Sequence, residues 1–428
     1  MIQVAPRVPD SRRRCCSRVA CALHAATVLA VSASSLEGQD RLVGSKLAAV
    51  GASYESISFD GAGLPQAAFN GLDSVRVQRV RQFTLPLTAA MPIGAGWRLD
   101  VTSLYSTGSI TYRDGSANGA TRTATLSGVS DIRLRATGRV LRDGLIVTVG
   151  ANAPTGRTTL STAEFSALRI LASPALGMGS TPVGAGPSGT VGAVVPQQLK
   201  GWQMAYGASY EMRGRYQPIA ALSAGSASAD FQPGGVARAS ITGDRVVGPH
   251  RLIVAMAADV FATDRLGGPV GAGTEGSSRS ESTVRLGPVF SADGQLQLAV
   301  PRTRELLVYS AYRWRAPFAR DGITVERSSG TYLESGVRGA LSMGPGRDLV
   351  FATDGRWHSG LGVDQGLPTS GVTSGSLTLG VNLRRGLMSW QPYLRGQAGS
   401  LSQPTASARR PSQSFRGAAA GLVFSSRF

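Results

Sequence analysis

Alternation with a period of two residues runs through nearly the whole chain, and it constrains the fold more than any other feature. Apolar side chains occupy every second position from Phe83 to Met91 and again from Trp202 to Met212. Such alternation is typical of strands with one apolar face. No stretch of the sequence reaches the roughly 18 continuous apolar residues that indicate a membrane-spanning helix. The pattern therefore predicts an all-β protein.

Several stripes are longer than the strands of soluble proteins. From Val284 to Val300 the apolar positions keep one parity over 17 residues, whereas strands of about five or six residues are usual in globular domains. A tilted strand needs about nine to eleven residues to cross a bilayer. Further stripes of this kind cover 97–101, 132–140, 252–260, 306–314, 333–343, 349–357 and 377–383. Their length favours strands that span a membrane.

The connections between the stripes alternate in length. Short turns are predicted at 92–96, 142–144, 213–214, 248–249, 301–303, 344–346 and 385–386. Longer loops rich in Gly and Ser are predicted near 60–73, 113–122, 155–199, 229–235, 263–279, 317–330, 360–372 and 403–410. Short periplasmic turns and long external loops are the outer-membrane arrangement. The prediction is a transmembrane antiparallel up-and-down β-barrel of about 16 strands. The stripes around Ile219 and Ile241, as strands 7 and 8, are the weakest, so that barrels of about 12 or 14 strands also remain open.

The first 33 residues have the pattern of a secretory signal peptide. Arg12, Arg13 and Arg14 precede an apolar stretch from Val19 to Val31, and small residues follow up to Ala33. This order of a basic, an apolar and a small-residue region is typical of cleavable signals. An N-terminal membrane anchor is the alternative, although the apolar run is shorter than a bilayer requires. The predicted organisation is a signal peptide at 1–33, a short periplasmic segment at 34–45 and the barrel at 46–428.

Cleavage after Ala33 would also remove every cysteine. The three cysteines are Cys15, Cys16 and Cys21, all inside the predicted signal. The predicted mature chain then has no disulfide and no thiolate metal ligand.

The C-terminus resembles the last strand of bacterial outer-membrane barrels. Leu422 and Phe424 continue an alternating stripe whose parity ends on Phe428, the final residue. In the proteins that it resembles, the terminal aromatic residue and the alternating apolar positions are read by the barrel-assembly machinery. The resemblance implies that Leu422, Phe424 and Phe428 form the assembly signal.

Charged residues share the parity opposite to the apolar stripes, which places them in the predicted lumen. An arginine on the lipid face near the midplane would cost about 2–4 kcal/mol. The predicted pore-lining residues are Asp131, Arg133, Arg135, Arg139, Arg98, Asp100, Arg338 and Arg384. The same parity assigns Arg76, Arg356 and Arg395 to the lumen. These side chains either form a charged pore wall that prefers anions or pair with carboxylates and brace the barrel.

The long segment at 155–199 is the other candidate for a functional element. It contains a possible short helix from Thr162 to Leu171, followed by a stretch rich in Gly, Pro and small apolar residues. Loops longer than about a dozen residues are often functional. The hypothesis is that this segment folds inward and narrows or gates the lumen, and the alternative is a mobile surface loop.

The composition speaks against several other functions. The formal net charge is +18, with 44 Lys and Arg against 26 Asp and Glu. The arginines are dispersed through alternating strands and no nucleic-acid-binding motif gathers them, so no nucleic-acid partner is expected. Lipopolysaccharide is the more natural counter-charge, and Arg79 and Arg81 suit a place at the external rim. Ser359 adjoins His358, but adjacent strand residues point to opposite faces, and the predicted mature chain has no cluster of His or Cys that could hold a metal. No enzymatic activity, cofactor or metal is therefore expected.

Residues 128–157 carry a more specific resemblance. They combine Gly128-Val129-Ser130-Asp131 with a second apolar strand that ends in Pro154-Thr155-Gly156. This pair of strands resembles the outer-membrane family linked to phenol meta-pathway genes, which is related to hydrocarbon and fatty-acid transport barrels. The resemblance covers about 30 residues and implies apolar or aromatic solutes, whereas the lumen arginines suggest anions.

Together, these features predict an outer-membrane channel of a Gram-negative-type bacterium for the passive passage of small solutes. The alternative is a structural or adhesion barrel with a blocked lumen and ligand-binding external loops. The number of copies in the assembly is left open.

Overall fold

The computed structural model describes most of the predicted barrel. The described residues are 46–61, 63–69, 72–94, 96–114, 119–141, 144–173, 176–178, 183–219, 229–267, 281–326, 328–359, 371–402 and 412–427. The predicted signal peptide, the segment 34–45 and Phe428 lie outside them. The bounds of the three predicted segments therefore stay predictions.

Almost all of the described chain is strand, with one α-helix, α1 (Thr162–Leu171). The strands are β1 (Leu47–Phe59), β2 (Leu64–Phe69), β3 (Leu72–Gly94), β4 (Trp97–Asp114), β5 (Thr121–Val129), β6 (Ile132–Val140), β7 (Leu145–Ala153), β8 (Ser188–Leu199), β9 (Trp202–Arg213), β10 (Tyr216–Ile219), β11 (Ala229–Gln232), β12 (Val236–Val247), β13 (His250–Phe261), β14 (Asp264–Gly267), β15 (Glu281–Arg285), β16 (Val289–Leu298), β17 (Thr303–Arg315), β18 (Ala319–Arg320), β19 (Ile323–Thr324), β20 (Gly330–Gly344), β21 (Arg347–Ser359), β22 (Gly371–Arg385), β23 (Met388–Ser402) and β24 (Ser412–Arg427). Among the described residues, no helix is long and apolar enough to span a bilayer.

The main sheet closes into a barrel of sixteen antiparallel strands. The first and last strands complete the wall, since β1 pairs with β24 from Leu47↔Arg427 to Phe59↔Phe415. Two halves of one wall strand, β5 and β6, both pair with β4, and β2 is a short addition to β3. The predicted fold class and the predicted number of strands are confirmed.

One stretch of the wall differs from the predicted assignment. The predicted loop 155–199 includes the wall strand β8, which a two-residue turn at Lys200 and Gly201 joins to β9. Both turn residues have positive φ, 46° and 83°, as the tightest hairpin turns require. The chain at 213–214 is therefore no periplasmic turn, and Ile219 belongs to β10 outside the barrel wall. The prediction omits β8 and wrongly counts the segment around Ile219 as a wall strand. These two errors cancel, so the predicted total of about 16 strands is still correct.

The missed strand has a physical explanation. In β8 the sequence Ser-Gly-Thr-Val-Gly-Ala-Val-Val-Pro places small residues on both faces, so its apolar stripe is weak. Its backbone nevertheless pairs with β7 on one side and β9 on the other. Neighbouring strands supply the hydrogen-bonding partners that local sequence does not reveal.

A second, six-stranded sheet lies at the loop end of five wall strands. It consists of β10, β11, β14, β15, β18 and β19, in that order. Short breaks separate these strands from the wall, and most of them contain Gly or Pro, such as Pro233-Gly234-Gly235 before β12. We call it the outer sheet.

The outer face of the wall is apolar, with aromatic side chains at two levels. Near the turns lie Trp97, Trp202 and Trp390, and near the loops lie Tyr210, Trp314 and Trp357. Trp202 and Tyr210 are eight residue steps apart in β9, which is about 20 Å along the barrel axis at a strand tilt of about 40°. This spacing matches the apolar band of outer-membrane barrels and their aromatic girdles.

Candidate functional site in the barrel interior

A cavity of about 890 Å³ lies inside the barrel. Wall strands β1, β3, β4, β6, β13, β16, β17 and β20 to β24 contribute to its lining, and residues 168, 172, 177 and 183 to 185 line it from within. The latter belong to residues 154–187, which leave the wall after β7 and return at β8. We call this stretch the inserted segment. Its described part folds into the lumen, as the inward-folding hypothesis expects.

Local sequence fixes the start of α1 within the inserted segment. Ser161 caps the helix, because its hydroxyl accepts a hydrogen bond from the Glu164 amide and its own amide donates to the Glu164 carboxylate at 2.9 Å. This reciprocal capping box satisfies two donors at the helix start. Arg157 adds an ion pair to Glu164 at 2.5 Å. Burial raises the pKa of Glu164, but the hydrogen bonds from Ser161 and Arg157 outweigh it and lower the pKa overall.

The apolar face of α1 packs against the inner wall. Ala167, Ile170 and Leu171 are at most 1% exposed and belong to one cluster with inward side chains of β1, β3, β4, β5 and β22 to β24. A Cβ at Gly108 of β4 would lie 2.5 Å from Leu171 Cδ1, so only glycine lets the helix approach this closely. The helix therefore occupies the loop half of the lumen on that side.

Asp131 holds the two ends of the inserted segment together. Its carboxylate accepts hydrogen bonds from the Gly156 amide at 2.9 Å, the Ala185 amide at 2.7 Å and the Asn152 side chain at 2.9 Å. Asp131 is 4% exposed and lies at the break between β5 and β6. It thus fastens the neck through which the chain enters and leaves the lumen.

The deep end of the inserted segment rests on an ionic cluster. A Cβ at Gly177, whose φ is +67°, would lie 2.0 Å from a guanidinium nitrogen of Arg356. Arg356 Nε lies 3.3 Å from Glu334 Oε2 and 3.4 Å from Asp354 Oδ2. The Tyr309 hydroxyl donates to Glu334 at 3.4 Å, and the Tyr332 hydroxyl also donates to that carboxylate. Tyrosines in the lumen were not among the predicted site residues, although their parity on β17 and β20 already opposes the lipid stripe.

The predicted pore-lining residues separate into two groups. Asp131, Arg133 and Arg338 line the cavity. The others lie nearer the turns, where Arg98 and Arg135 approach Asp100 at 2.7 and 4.0 Å and Arg384 approaches Asp348 at 2.8 Å. Arg139 lies one residue from the turn end of β6. This pairing favours the bracing alternative for the residues near the turns.

Arg76 is wrongly assigned to the lumen by parity. A bulge interrupts the pairing of β3 with β4 between Val77 and Arg79. The extra residue reverses the faces beyond it, so Val75 and Val77 are buried inside and Arg76 is exposed outside. Beyond a bulge, the alternation of side chains counted from the other side of the bulge no longer gives the correct face.

The charges of the cavity are balanced. Its carboxylates are Glu55, Asp131, Asp293, Glu305, Glu334 and Asp354, and its arginines are Arg133, Arg313, Arg338, Arg356 and Arg395. A net charge of +18 for the chain therefore does not produce a basic cavity. Within the cavity itself, the charges give no support to an anion preference.

His358 and Ser359 lie on β21 with their side chains on opposite faces. The His358 ring packs 6.5 Å from the Tyr332 ring, in the same region as Glu334. Among the described residues, no three His, Cys, Asp or Glu side chains gather as metal ligands.

No protein-family model matches the chain, and no curated protein matches it. Solved structures similar to it include OprB of Pseudomonas putida at high pH, with 11% identity over 90% of this chain and 94% of that chain and a TM-score of 0.41. Another is CymD, a monoaromatic hydrocarbon channel, with 9% identity over 91% of this chain and 90% of that chain and a TM-score of 0.39. A third is an outer-membrane channel from Pseudomonas putida F1, with 13% identity over 90% of this chain and 96% of that chain and a TM-score of 0.33.

At such low identities and TM-scores, these likenesses give no information about the interior of this barrel. The closed wall, its apolar outer band and its two classes of connection are features of the molecule itself. The molecule is an outer-membrane β-barrel of the bacterial type, in which a segment of its own chain occupies part of the lumen.

Proposed function

We propose that this barrel is a channel for the passive passage of small solutes across the outer membrane. The observation that carries the proposal is the cavity of about 890 Å³ beside the inserted segment, which is a volume that accommodates a small molecule. On this proposal, Asp131, Arg133 and Arg338 line the path, and Arg98, Asp100, Arg135, Arg139 and Arg384 line its periplasmic part.

The mixed lining of the cavity supports small amphipathic solutes. Leu168 and Val183 of the inserted segment present apolar surface, while Tyr309, Tyr332 and Tyr393 present aromatic rings with hydroxyl groups. A solute with an aromatic ring and one polar group finds both kinds of contact here. This agrees with the solute class that the phenol-pathway resemblance implies. The expectation that the barrel has no enzymatic activity belongs to this proposal.

The direct test is conduction by the refolded protein. Planar bilayers should show discrete single-channel steps, and liposomes that contain the protein should swell in solutions of small sugars or phenols. Migration that changes on boiling in gel electrophoresis verifies that the barrel has folded. A folded barrel that gives neither steps nor swelling contradicts the channel.

A blocked structural or adhesion barrel is the second candidate. It is favoured by one observation, namely the packing of α1 against the inner wall with fully buried Leu171. The same conduction measurement separates the two functions, because a lumen sealed by the inserted segment conducts only when that segment is removed.

Two partner assignments also belong to this proposal. We infer that lipopolysaccharide surrounds the external rim, and that the barrel-assembly machinery reads the C-terminal strand. There Leu422 is exposed and Phe424 packs against Trp390 with ring centroids 4.5 Å apart. Phe428, the third residue of the predicted assembly signal, lies outside the described residues.

The charge balance of the cavity makes a prediction about selectivity. Because carboxylates and arginines line the cavity in nearly equal number, we expect chloride and potassium permeabilities that differ by less than about three-fold. The double variant R133E/R338E should shift the reversal potential in a KCl gradient toward potassium preference. The matched control R79E/R81E makes the same charge change on the outer surface and should leave the reversal potential unchanged. Strong anion preference of the unmodified protein would contradict the assigned path.

A further inference from the structure

Five arginines project from the outer surface at the loop end of three wall strands. They are Arg76, Arg79 and Arg81 of β3, Arg113 of β4 and Arg416 of β24, and all five are exposed. Their neighbours Val75, Val80, Tyr112 and Phe415 are buried inside the barrel. Since neighbouring residues of a strand point to opposite faces, these arginines face the surroundings of the barrel. We call them the arginine patch.

The strand register brings the members of the arginine patch together. Arg79 and Arg416 both pair with Ser58 of β1, from the two sides, and Arg79 Nε donates to the Ser58 hydroxyl at 3.1 Å. Arg81 pairs with Ser56 of β1 and Ser109 of β4. Paired side chains on one face have Cβ atoms about 5 Å apart. The patch is thus a continuous surface of guanidinium and hydroxyl groups.

The arginine patch has an excess of positive charge that the described chain offsets only in part. Arg76 and Arg113 are direct cross-strand partners, an arrangement that is destabilising for like charges. The Asp60 carboxylate lies 4.0 Å from Arg416 Nε and offsets one of the five charges. An anion bound between the guanidinium groups would relieve this repulsion.

Apolar and aromatic side chains continue the same face toward the membrane. Along β3 the outward positions below Arg79 and Arg81 are Phe83, Leu85 and Leu87. Tyr54 of β1 pairs with Phe83 and is 47% exposed, and Tyr105 of β4 pairs with Leu85. A free phosphate ion has no apolar part that would contact these side chains. A lipid with a phosphorylated headgroup matches both parts, its phosphates at the arginines and its acyl chains on the strip below.

We propose that the arginine patch binds the phosphate groups of a phosphorylated glycolipid of the outer leaflet. Guanidinium groups are suited to this role because their planar fork donates two hydrogen bonds to one phosphate. The headgroup lies against Ser56, Ser58 and Ser109, and the acyl chains lie along Phe83 and Leu87. This site rests on the outer-membrane placement of the barrel but does not require that the barrel conducts.

The test compares lipid binding by full-length protein refolded in detergent. The probes are lipid A with its phosphates, the same lipid after enzymatic dephosphorylation, and inorganic phosphate, each measured by native mass spectrometry and by the shift in thermal unfolding. We expect the triple variant R79Q/R81Q/R416Q to bind phosphorylated lipid A at least ten-fold more weakly than the unmodified protein. The control R215Q/R285Q/R320Q removes the same charge from exposed positions in the outer sheet and directly before it, and it should change binding by less than two-fold.

Several results would overturn the site. They are equal binding by the triple variant, equal binding of dephosphorylated lipid, or saturation of the patch by inorganic phosphate in place of lipid. Boiling-dependent gel migration confirms that each variant has folded. Conductance is recorded in parallel, so a protein that conducts without binding lipid refutes the lipid site alone, and one that binds lipid without conducting refutes the channel alone.

Discussion

Replacing residues 157–184 with a short Gly-Ser linker is expected to raise the single-channel conductance several-fold. The linker keeps the wall strands β7 and β8 and removes α1 together with the residues that contact Arg356. In the unmodified protein these residues occupy the loop half of the lumen beside β1, β3 to β5 and β22 to β24. Ionic conductance increases with the open cross-section, so emptying this region should give the largest functional change that a single alteration of the chain produces.

The control for this deletion shortens the connection between β14 and β15. Neither strand lines the cavity, so the conductance of that variant should equal that of the unmodified protein. An unchanged conductance after removal of 157–184, in a barrel that still shows boiling-dependent migration, would sink the idea that the inserted segment restricts the path. A deletion that extends to residue 195 is unsuitable, because it cuts into β8 and breaks the wall.

Asp131→Ala is expected to destabilise the barrel and to make its conductance unsteady. The substitution leaves the amides of Gly156 and Ala185 and the amide group of Asn152 without their shared acceptor. Each buried donor left without a partner costs about 1–3 kcal/mol. Since the neck of the inserted segment is then no longer fastened, we expect the single-channel current to fluctuate between levels where the unmodified protein has one. Urea unfolding and single-channel recording measure the two effects.

Arg133→Ala is the matched control for Asp131. Arg133 lies two residues after Asp131, also faces the cavity and is exposed there. Loss of its side chain should therefore change the free energy of unfolding by no more than about 0.5 kcal/mol. Asp131→Asn retains one acceptor and should be intermediate. The proposed neck would be falsified if Asp131→Ala had the same free energy of unfolding and the same steady single-channel current as Arg133→Ala.

The wall was predictable from the sequence because lipid imposes the same demand on every strand. An outward residue such as Leu422 or Trp357 has to be apolar wherever it falls, so the alternation repeats and most of the wall strands can be recognised. The alternation cannot be recognised where small residues occupy both faces of a strand, as in β8. It also fails at the bulge before Arg79, where one additional residue exchanges the two faces and misplaces Arg76.

The interior was less predictable because its contacts join distant parts of the chain. The parity of Asp131 places it inside the barrel, but its partners Gly156 and Ala185 follow 25 and 54 residues later. No local pattern connects them. Inward residues such as Ile110 and Leu126 are apolar because α1 covers them. At these positions both faces of the strand are therefore apolar, and parity alone cannot tell the lumen face from the lipid face.

The pairing of β1 with β24 has a consequence for the order of events during biogenesis. Thirteen residue pairs join strands that lie at opposite ends of the chain, so no part of this seam can form until the final strand has been synthesised and delivered. Contacts between such distant residues carry a large entropic cost of loop closure and form late. Until then the sheet has two open edges, each able to pair with a foreign strand. The step that seals the molecule is therefore the one at which a helper protein has most to contribute, and loss of the last strand would leave a permanently open sheet.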